Sequence, residues 1–406
     1  MRPVYGRSPW LDRFPKSRVP TYPKYKGSLD TDVVVIGGGL AGCAAAYAFA
    51  AAGTKVVLME ADRIGRGASG SAAGWITDTP AVGFGELESA IGRRGARHAF
   101  QAWRRAALDL EALLRRLDVK CHLEPRESMT VAQALDQAHA LAREKKRRAE
   151  ASVDTQSLVA RAIGPIAGFP AAAALRTRDG AIADPYRAIV GLAAAAAARG
   201  AVVFERSAVT KTTFTRDDAT VVTAAGSIRT RRIVVTTGQA GALFKPLARH
   251  LGTRTRYFVM TEPVPAKVRK SLGSRDHLIR DTATPPHHIS WVDDERIVVS
   301  GADSDAVPAR SRGTVLVQRT GQLMYELSTF YPDISGLQPA YGWDATYTMT
   351  ATGLPIVGPH RNYPHHLFAF GGPDDGLTAA YLASRILLRH HVEDTQGSDD
   401  VFAFGR

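Results

Sequence analysis

Residues 32–42 read DVVVIGGGLAG, and the fold follows from how that stretch continues. Asp32–Ile36 is a short run of apolar, β-branched residues without polar alternation, the pattern of a strand buried on both faces of a parallel sheet. Gly37-Gly38-Gly39-Leu40-Ala41-Gly42 comes next and satisfies G-x-G-x-x-G where strand turns into helix. Gly37 permits the tight turn, Gly39 lets backbone approach a pyrophosphate, and Gly42 lets helix and strand pack closely. Small residues from Leu40 to Ala52, with Tyr47 and Phe49, spell a helix stopped by Gly53. A second buried strand, Lys55–Glu60, ends on an acid 18 residues after Gly42, where a carboxylate can accept hydrogen bonds from ribose hydroxyls. The helix start adds unpaired N–H groups and a positive dipole end for phosphate. The unit binds a dinucleotide, and NAD and FAD are equally open on it.

Working outward, Arg63–Gly74 (RIGRGASGSAAG) is a long run of small residues. Such a run serves backbone passing close to a flat ring and a phosphate chain, or else a flexible surface loop. On the N-terminal side, residues up to about Ser28 are rich in Pro, Tyr and basic residues and read as an extended arm. Residues 87–150 read as mostly helical, with Ala106–Leu117 and Ala132–Arg148 as the clearest stretches. From Asp179 a turn-rich segment leads into a helix at Tyr186–Arg199 and strands at Ala201–Glu205, Ala208–Phe214, Thr220–Thr223 and Ile233–Thr236. Arg254–Val307 reads as strands separated by charged turns, Arg310–Tyr331 as a helix. The tail carries strands at Leu354–Val357 and Leu367–Phe370 and a helix at Leu377–Leu388. This alternation points to two interleaved domains rather than two beads on a string.

Composition narrows the class of protein. A chain of 406 residues, 45% hydrophobic and 22% charged, is globular rather than disordered or fibrous. No apolar window is long enough to span a membrane, and MRPVYGRSPWLDRFP lacks the apolar region of a secretory leader. A cytoplasmic location is expected. Two cysteines, Cys43 and Cys121, make no disulfide framework and no metal-ligand spacing, so no metal is expected. The net charge of +13 fits an acidic partner such as tRNA, an anionic substrate, or an Arg-rich surface. Arg143–Arg148 (REKKRR) reads as one solvated helix face. Aromatics do not interleave with the basic clusters as a nucleic-acid stacking surface requires.

Four stretches together resemble the D-amino-acid oxidase superfamily of flavoproteins, in particular the branch of sarcosine oxidase, glycine oxidase and γ-glutamylputrescine oxidase. They are DVVVIGGGLAG with VVLMEADRIGRGASGSAAG; DGAIADPYRAIVGLAAAAAARGAVVFE; RIVVTTG; and TGLPIVGP with LFAFGGPDDGLTAAYLASRILL. SPWLDR in the arm is similar to the opening of the last branch. The resemblance implies an α/β fold, a Rossmann-like FAD-binding domain interleaved with an α+β substrate domain on a mostly antiparallel sheet. The expected division is an arm over 1–29, an FAD-binding domain over 30–86, 178–244 and 338–406, and a substrate-binding domain over 87–177 and 245–337. It also implies oxidation of the C–N bond of a small amine or amino acid by hydride transfer to flavin N5, with O2 or another acceptor reoxidising the flavin. A flavoprotein acting on modified tRNA, a 2-hydroxy-acid dehydrogenase and a non-catalytic flavin binder are the rival readings.

Carried over by position, Gly37, Gly39 and Gly42 face the pyrophosphate and Glu60 the adenosine ribose. Ala68, Ser69, Gly70 and Ser71 line the diphosphate and ring system, Val209 offers backbone to the adenine, and Thr237 and Gly238 close that side. Gly372, Asp375, Gly376, Leu377 and Thr378 bring a helix start to the flavin N1–C2=O edge, where a dipole end stabilises the negative charge of the reduced ring. Leu40, Ala41, Ala61, Arg63 and Gly67 complete the cofactor set. Relatives with covalent flavin use a His in the glycine-rich segment or a Cys before the tail motif; this sequence has neither, which implies non-covalent FAD. Thr352 replaces the family's usual Asp, and Arg296–Gly301 (RIVVSG) contains no counterpart of the Lys that promotes reaction with O2. For a substrate carboxylate the resemblance offers Arg256 and Tyr257, with Tyr347, and Arg280 before Asp281, because an Arg fork fits a planar anion. His287, His288 and Arg280 are the catalytic candidates, the His pair to orient substrate or take its ammonium proton.

Overall fold

The computed structural model describes residues 2–372 and 376–405. Two sheets organise them. The first has eight strands in the order Ile356–His360, Tyr363–Phe370, Gly226–Gly238, Gly27–Ile36, Val56–Met59 and Val202–Phe204, with the hairpin Val209–Phe214/Ala219–Thr223 attached to Gly226–Gly238. The five strands from Tyr363–Phe370 to Val202–Phe204 pair in parallel. Val33–Ile36 lies in register with Val56–Met59 on one side and Arg232–Val235 on the other. Burial on both faces explains the unbroken β-branched run. Val33 and Val35 pack under the helices Leu40–Ala51, Pro185–Ala198 and Leu377–His391, while Val34 and Ile36 join Phe368, Phe370 and the hairpin on the other face.

The second sheet has ten strands and is mostly antiparallel, running Val4–Tyr5, Pro339–Met349, Gly252–Thr261, Arg296–Ser304, His288–Val292, His277–Asp281, Glu124–Ala132, Ala173–Ile182 and Trp75–Ile76, with Gln156–Val159 paired to Ala173–Ile182. One face lies on the helix Ala309–Phe330, through Tyr257, Val259, Ile289 and Val299 against Leu323 and Leu327. The other face, carrying Phe258, Met260, Leu278, Val298 and Trp343, turns toward the first sheet. Successive strand side chains alternate between these faces, and this alternation decides which residues reach the site.

The expected boundaries shift in three places. Pro339–Met349 pairs with Gly252–Thr261 and belongs to the second sheet, so the passage to the first sheet falls after Met349 and not at 337/338. Ala173–Ile182 runs across 177/178 without a break, and Trp75–Ile76 pairs with it. The arm is folded rather than extended. Val4–Tyr5 pairs with Tyr341–Gly342, and a short helix at Pro9–Asp12 buries Trp10. Glu124–Ala132 is a strand between the helices Phe84–Arg116 and Leu135–Glu150, in the part of the mostly helical region that carried no clear helical stretch.

Candidate active site: a dinucleotide cleft and an adjoining cavity

Gly37 closes the first strand with φ +111, which a side chain seldom adopts. A Cβ on Gly42 would stand 1.8 Å from the carbonyl oxygen of Gly37, so only glycine lets the helix Leu40–Ala51 sit so close to the strand end. That helix starts at Gly39 without a side-chain cap, which leaves its first N–H groups for a ligand. Glu60 ends the second strand, with Oε2 accepting from Gly38 N at 2.6 Å and Oε1 from Asp62 N at 2.8 Å.

These parts edge a cleft of about 460 Å³. Gly37, Gly39, Ala41 and Glu60 line it, as do Ala61, Gly67, Ala68 and Ser69. Val209, Thr237 and Gly238 close one side, and Gly372 and Gly376 one end. Other residues of the expected cofactor set stand behind the wall. Leu40 and Leu377 are in the core because each begins a helix that packs on the sheet. Gly42 and Gly70 make close backbone approaches, the latter with a would-be Cβ 1.8 Å from Gly65 O. The Ser71 carbonyl accepts the Trp343 indole N–H at 2.7 Å. Arg63 is not on the cleft wall, and Thr378 lines the neighbouring cavity with its hydroxyl donating to Thr77 O at 2.9 Å. Asp375 lies outside the described residues.

The second sheet supplies the other wall. Arg256, Phe258 and Tyr347 face the cleft, with Phe258 stacked on Trp343 at 5.3 Å. Arg256 is 2% exposed and fully engaged as an ion, its Nε and Nη2 donating to the two carboxylate oxygens of Asp303 at 2.8 and 2.7 Å. Tyr347 donates to the same carboxylate at 2.6 Å. Tyr257, expected beside Arg256, points to the other face, toward Ser304 and Arg319, because neighbouring strand residues alternate.

A second cavity of about 860 Å³ meets the cleft at Gly376. Arg280, His288, Trp75 and Thr378 line it. Arg280 is half-buried, donates to Ala81 O, and has no ion-pair partner among the described residues. His288 is buried with its ring edge-on to Trp75 and Nδ1 3.2 Å from Arg256 Nη1. His287 lies on the reverse face, where Nδ1 meets Asp281 at 2.7 Å and Nε2 meets Glu326 at 3.0 Å. It is therefore not a cavity residue, again by alternation.

Several contributors carry no local sequence signal. Asp303 acts through a partner strand, and Glu205, buried, accepts from Ile64 N at 2.9 Å to hold the loop before the glycine-rich segment. Ser8 and Trp10 of the arm donate to the carbonyls of Gly70 and Ala72, clamping that segment from outside. Trp75 was also missed, although its place directly after the small-residue run is a signal that could have found it.

A parallel-sheet dinucleotide cleft opening into a cavity on an antiparallel sheet defines a two-domain, nucleotide-dependent oxidoreductase. The chain belongs to the DAO family of FAD-dependent oxidoreductases, which it matches over residues 32–389. It is 27% identical over 375 residues to gamma-glutamylputrescine oxidoreductase of Escherichia coli (strain K12), across 90% of this chain and 85% of that one. Glycine oxidase from Geobacillus kaustophilus shares the fold at a TM-score of 0.76 and 18% identity, covering 93% of this chain and 99% of its own. L-Amino acid deaminase from Proteus myxofaciens, solved with anthranilate, does so at 0.77 and 16%, covering 95% and 96%. The residues here fit FAD. Glycine backbone and an uncapped helix start face the cleft, an acid ends the second strand, and the cleft continues onto the second sheet. No described helix is long and apolar enough to cross a membrane.

Proposed function

We propose that this flavoenzyme oxidises the C–N bond of a small amine or amino acid, with FAD held without a covalent bond. The observation that carries the reading is Arg280, a half-buried guanidinium without an ion-pair partner among the described residues, on the wall of a cavity that opens onto the cleft. A buried cation left unpaired is costly, and a substrate carboxylate answers it with a bidentate pair. Arg256 is the poorer anchor because Asp303 already meets its charge. The names of the relatives support the amine class: one acts on γ-glutamylputrescine, others on glycine and L-amino acids. Neither His nor Cys lines the cleft among the described residues, and Cys43 is buried, its thiol pushed up by desolvation, which agrees with dissociable FAD.

FAD, when bound, supplies the two-electron acceptor. Arg280 holds the substrate carboxylate. A guanidinium has donors only, so His288 Nδ1 accepts from Arg256, and the ring stands on the cavity wall to orient substrate or take its ammonium proton. Trp75 fixes the ring edge-on. The electrons pass on to O2 or another acceptor, and measuring reoxidation in air against an added dye separates the two.

The test is anaerobic bleaching of the bound flavin with amines, amino acids and 2-hydroxy acids. Bleaching by amines or amino acids, with ammonia or amine released, is expected. Bleaching by hydroxy acids alone would overturn the reading. His288→Ala should slow flavin reduction about 100-fold, in the range of a lost positioning or proton-bearing group.

A further inference from the structure

Asp303 stands behind the cleft wall that Arg256 and Tyr347 present, with its side chain 8% exposed. Its carboxylate takes both forks of Arg256, at 2.8 and 2.7 Å, and the Tyr347 hydroxyl at 2.6 Å. The Arg256 guanidinium also lies over the Tyr347 ring, 5.4 Å from its centre. Cation, carboxylate and phenol thus form one closed unit at the cleft wall.

Strand alternation alone would not put Asp303 there. Tyr257 pairs with Gly301 and Thr255 with Ser304, so Arg256 stands opposite two residues, Ala302 and Asp303. This is a β-bulge, and within it Ala302 takes φ +52. Uninterrupted pairing would set Asp303 against Thr255, on the face of Tyr257 and the helix Ala309–Phe330. The bulge turns it to the face of Arg256. Left-handed backbone at a residue other than glycine persists only where its surroundings over-determine it, and such strain gathers at functional sites. The other charges around this wall have their own places. Arg254 pairs with Asp305 at 2.8 Å toward solvent. Arg280 stands at the neighbouring cavity and donates to Ala81 O, and Glu86 is exposed. His288 meets Arg256 through Nδ1.

We propose that Asp303 is a positioning residue that acts on FAD through Arg256. It offsets the Arg256 charge at the cleft wall and so keeps the reduction potential of the bound flavin lower than it would be without that carboxylate. The nucleotide half of FAD belongs at the glycine turn and Glu60, which leaves the ring for the wall of Arg256, Phe258 and Tyr347. Reduced flavin carries negative charge, so a cation beside it favours reduction and a carboxylate opposes it. The helix start at Gly376 already favours the reduced ring. Asp303 keeps Arg256 from adding its full charge to that effect, and the electrons then pass on to the acceptor more readily. This holds whichever substrate is oxidised, so it stands or falls apart from the amine reading.

The test needs no substrate. Holoenzyme is titrated with sulfite, which adds reversibly to oxidised flavin and leaves negative charge on the ring. Its midpoint potential is measured separately against a reference dye. Asp303→Asn keeps the shape and removes one negative charge. It should bind sulfite about tenfold more tightly, the worth of one unit charge at roughly 10 Å in a partly buried site. The same factor raises a two-electron potential by about 30 mV. Arg256→Gln should move both readings the other way. Arg256→Gln with Asp303→Asn removes one charge of each sign and should bring both back toward wild type. Tyr347→Phe loosens Asp303 without changing any charge and should move neither. Should Asp303→Asn fail to retain flavin, the double variant against Arg256→Gln carries the same test, because the two differ in the Asp303 charge alone. Unchanged sulfite affinity and potential on removing that charge would overturn the proposal. So would a shift of the same size in Tyr347→Phe, which would make Asp303 a brace and not a source of field.

Discussion

His287 bridges two carboxylates, Asp281 on its own turn and Glu326 on the helix Ala309–Phe330. Burial pulls its pKa down, but the hydrogen bonds and charges of Asp281 and Glu326 outweigh burial and hold it above the ordinary 6.5. A folded-state pKa above the unfolded one stabilises the protein fully below about pH 6.5, and that stability is lost as pH rises through the raised value. Glu326→Gln should therefore cost about 1.5–3 kcal/mol at pH 6, the worth of a hydrogen bond to a charged group, and much less at pH 9. Urea denaturation at the two pH values measures the gap. A cost that is the same at both would mean that the ring does not change its charge between them. Asp281 also lines the second cavity, so this ion triad fixes the turn that carries Thr282–Thr284 along that wall.

Between elements, the clearest dependence is that of the glycine-rich segment on the arm. Trp10 donates its indole N–H to Ala72 O at 2.9 Å and packs with Ala73, Trp75 and Tyr186. Trp10→Ala should destabilise the holoenzyme by about 3–5 kcal/mol, as large aromatic truncations do, and release FAD during gel filtration. Trp10→Phe keeps most of the packing and removes only the donor, so thermal denaturation should recover in large part while FAD retention stays reduced. Full retention in the Phe variant would reduce the arm to packing alone. Such dependences were not legible in the sequence, because Trp10 meets a carbonyl 62 residues away. What could be read was local. The run from Asp32 to Glu60 carries its strand, turn, helix and acid within one stretch, each with its own residue signature. The strands Glu124–Ala132 and Ala173–Ile182 were missed because charged residues such as Arg126, Glu127 and Arg176 interrupt them. Those residues find partners only once the strands pair, as Arg176 does with Glu127. The same limit applies to the site. Segments named from the sequence do border the cleft and the cavity, but which of His287 and His288, or of Arg256 and Tyr257, faces them hangs on a parity that pairing sets. A shift of one residue reverses every side chain, and the parity is fixed by strand partners that no single segment reveals, Ser300 on the next strand for His288 and the distant Ala345 for Arg256.

At the scale of the whole molecule, the cleft joins the two sheets. Its Glu60 and Val209 end draws on the first sheet, while Arg256, Phe258 and Tyr347 come from the second. A ligand spanning the cleft binds only the folded arrangement of both, so it stabilises by mass action, about 2.7 kcal/mol at a free concentration 100 times its Kd. The two sheets can be followed separately. Of the five tryptophans, Trp75, Trp291 and Trp343 lie on the second sheet and Trp10 packs in the same cluster, which makes Trp emission chiefly a report on that sheet. Far-UV circular dichroism reports the helices of both sheets, three over the first and Ala309–Phe330 against the second, so the part of its transition that does not coincide with Trp emission belongs to the first. Full-length FAD, added to apoprotein, should raise both midpoints together and bring them to one temperature. ADP, which carries only the nucleotide half, should raise the dichroism midpoint by its own linkage and move the Trp emission midpoint much less. If ADP shifted both equally, the sheets would unfold as one body without the flavin half, and the coupling would belong to the interleaved chain rather than to the cofactor lying between them.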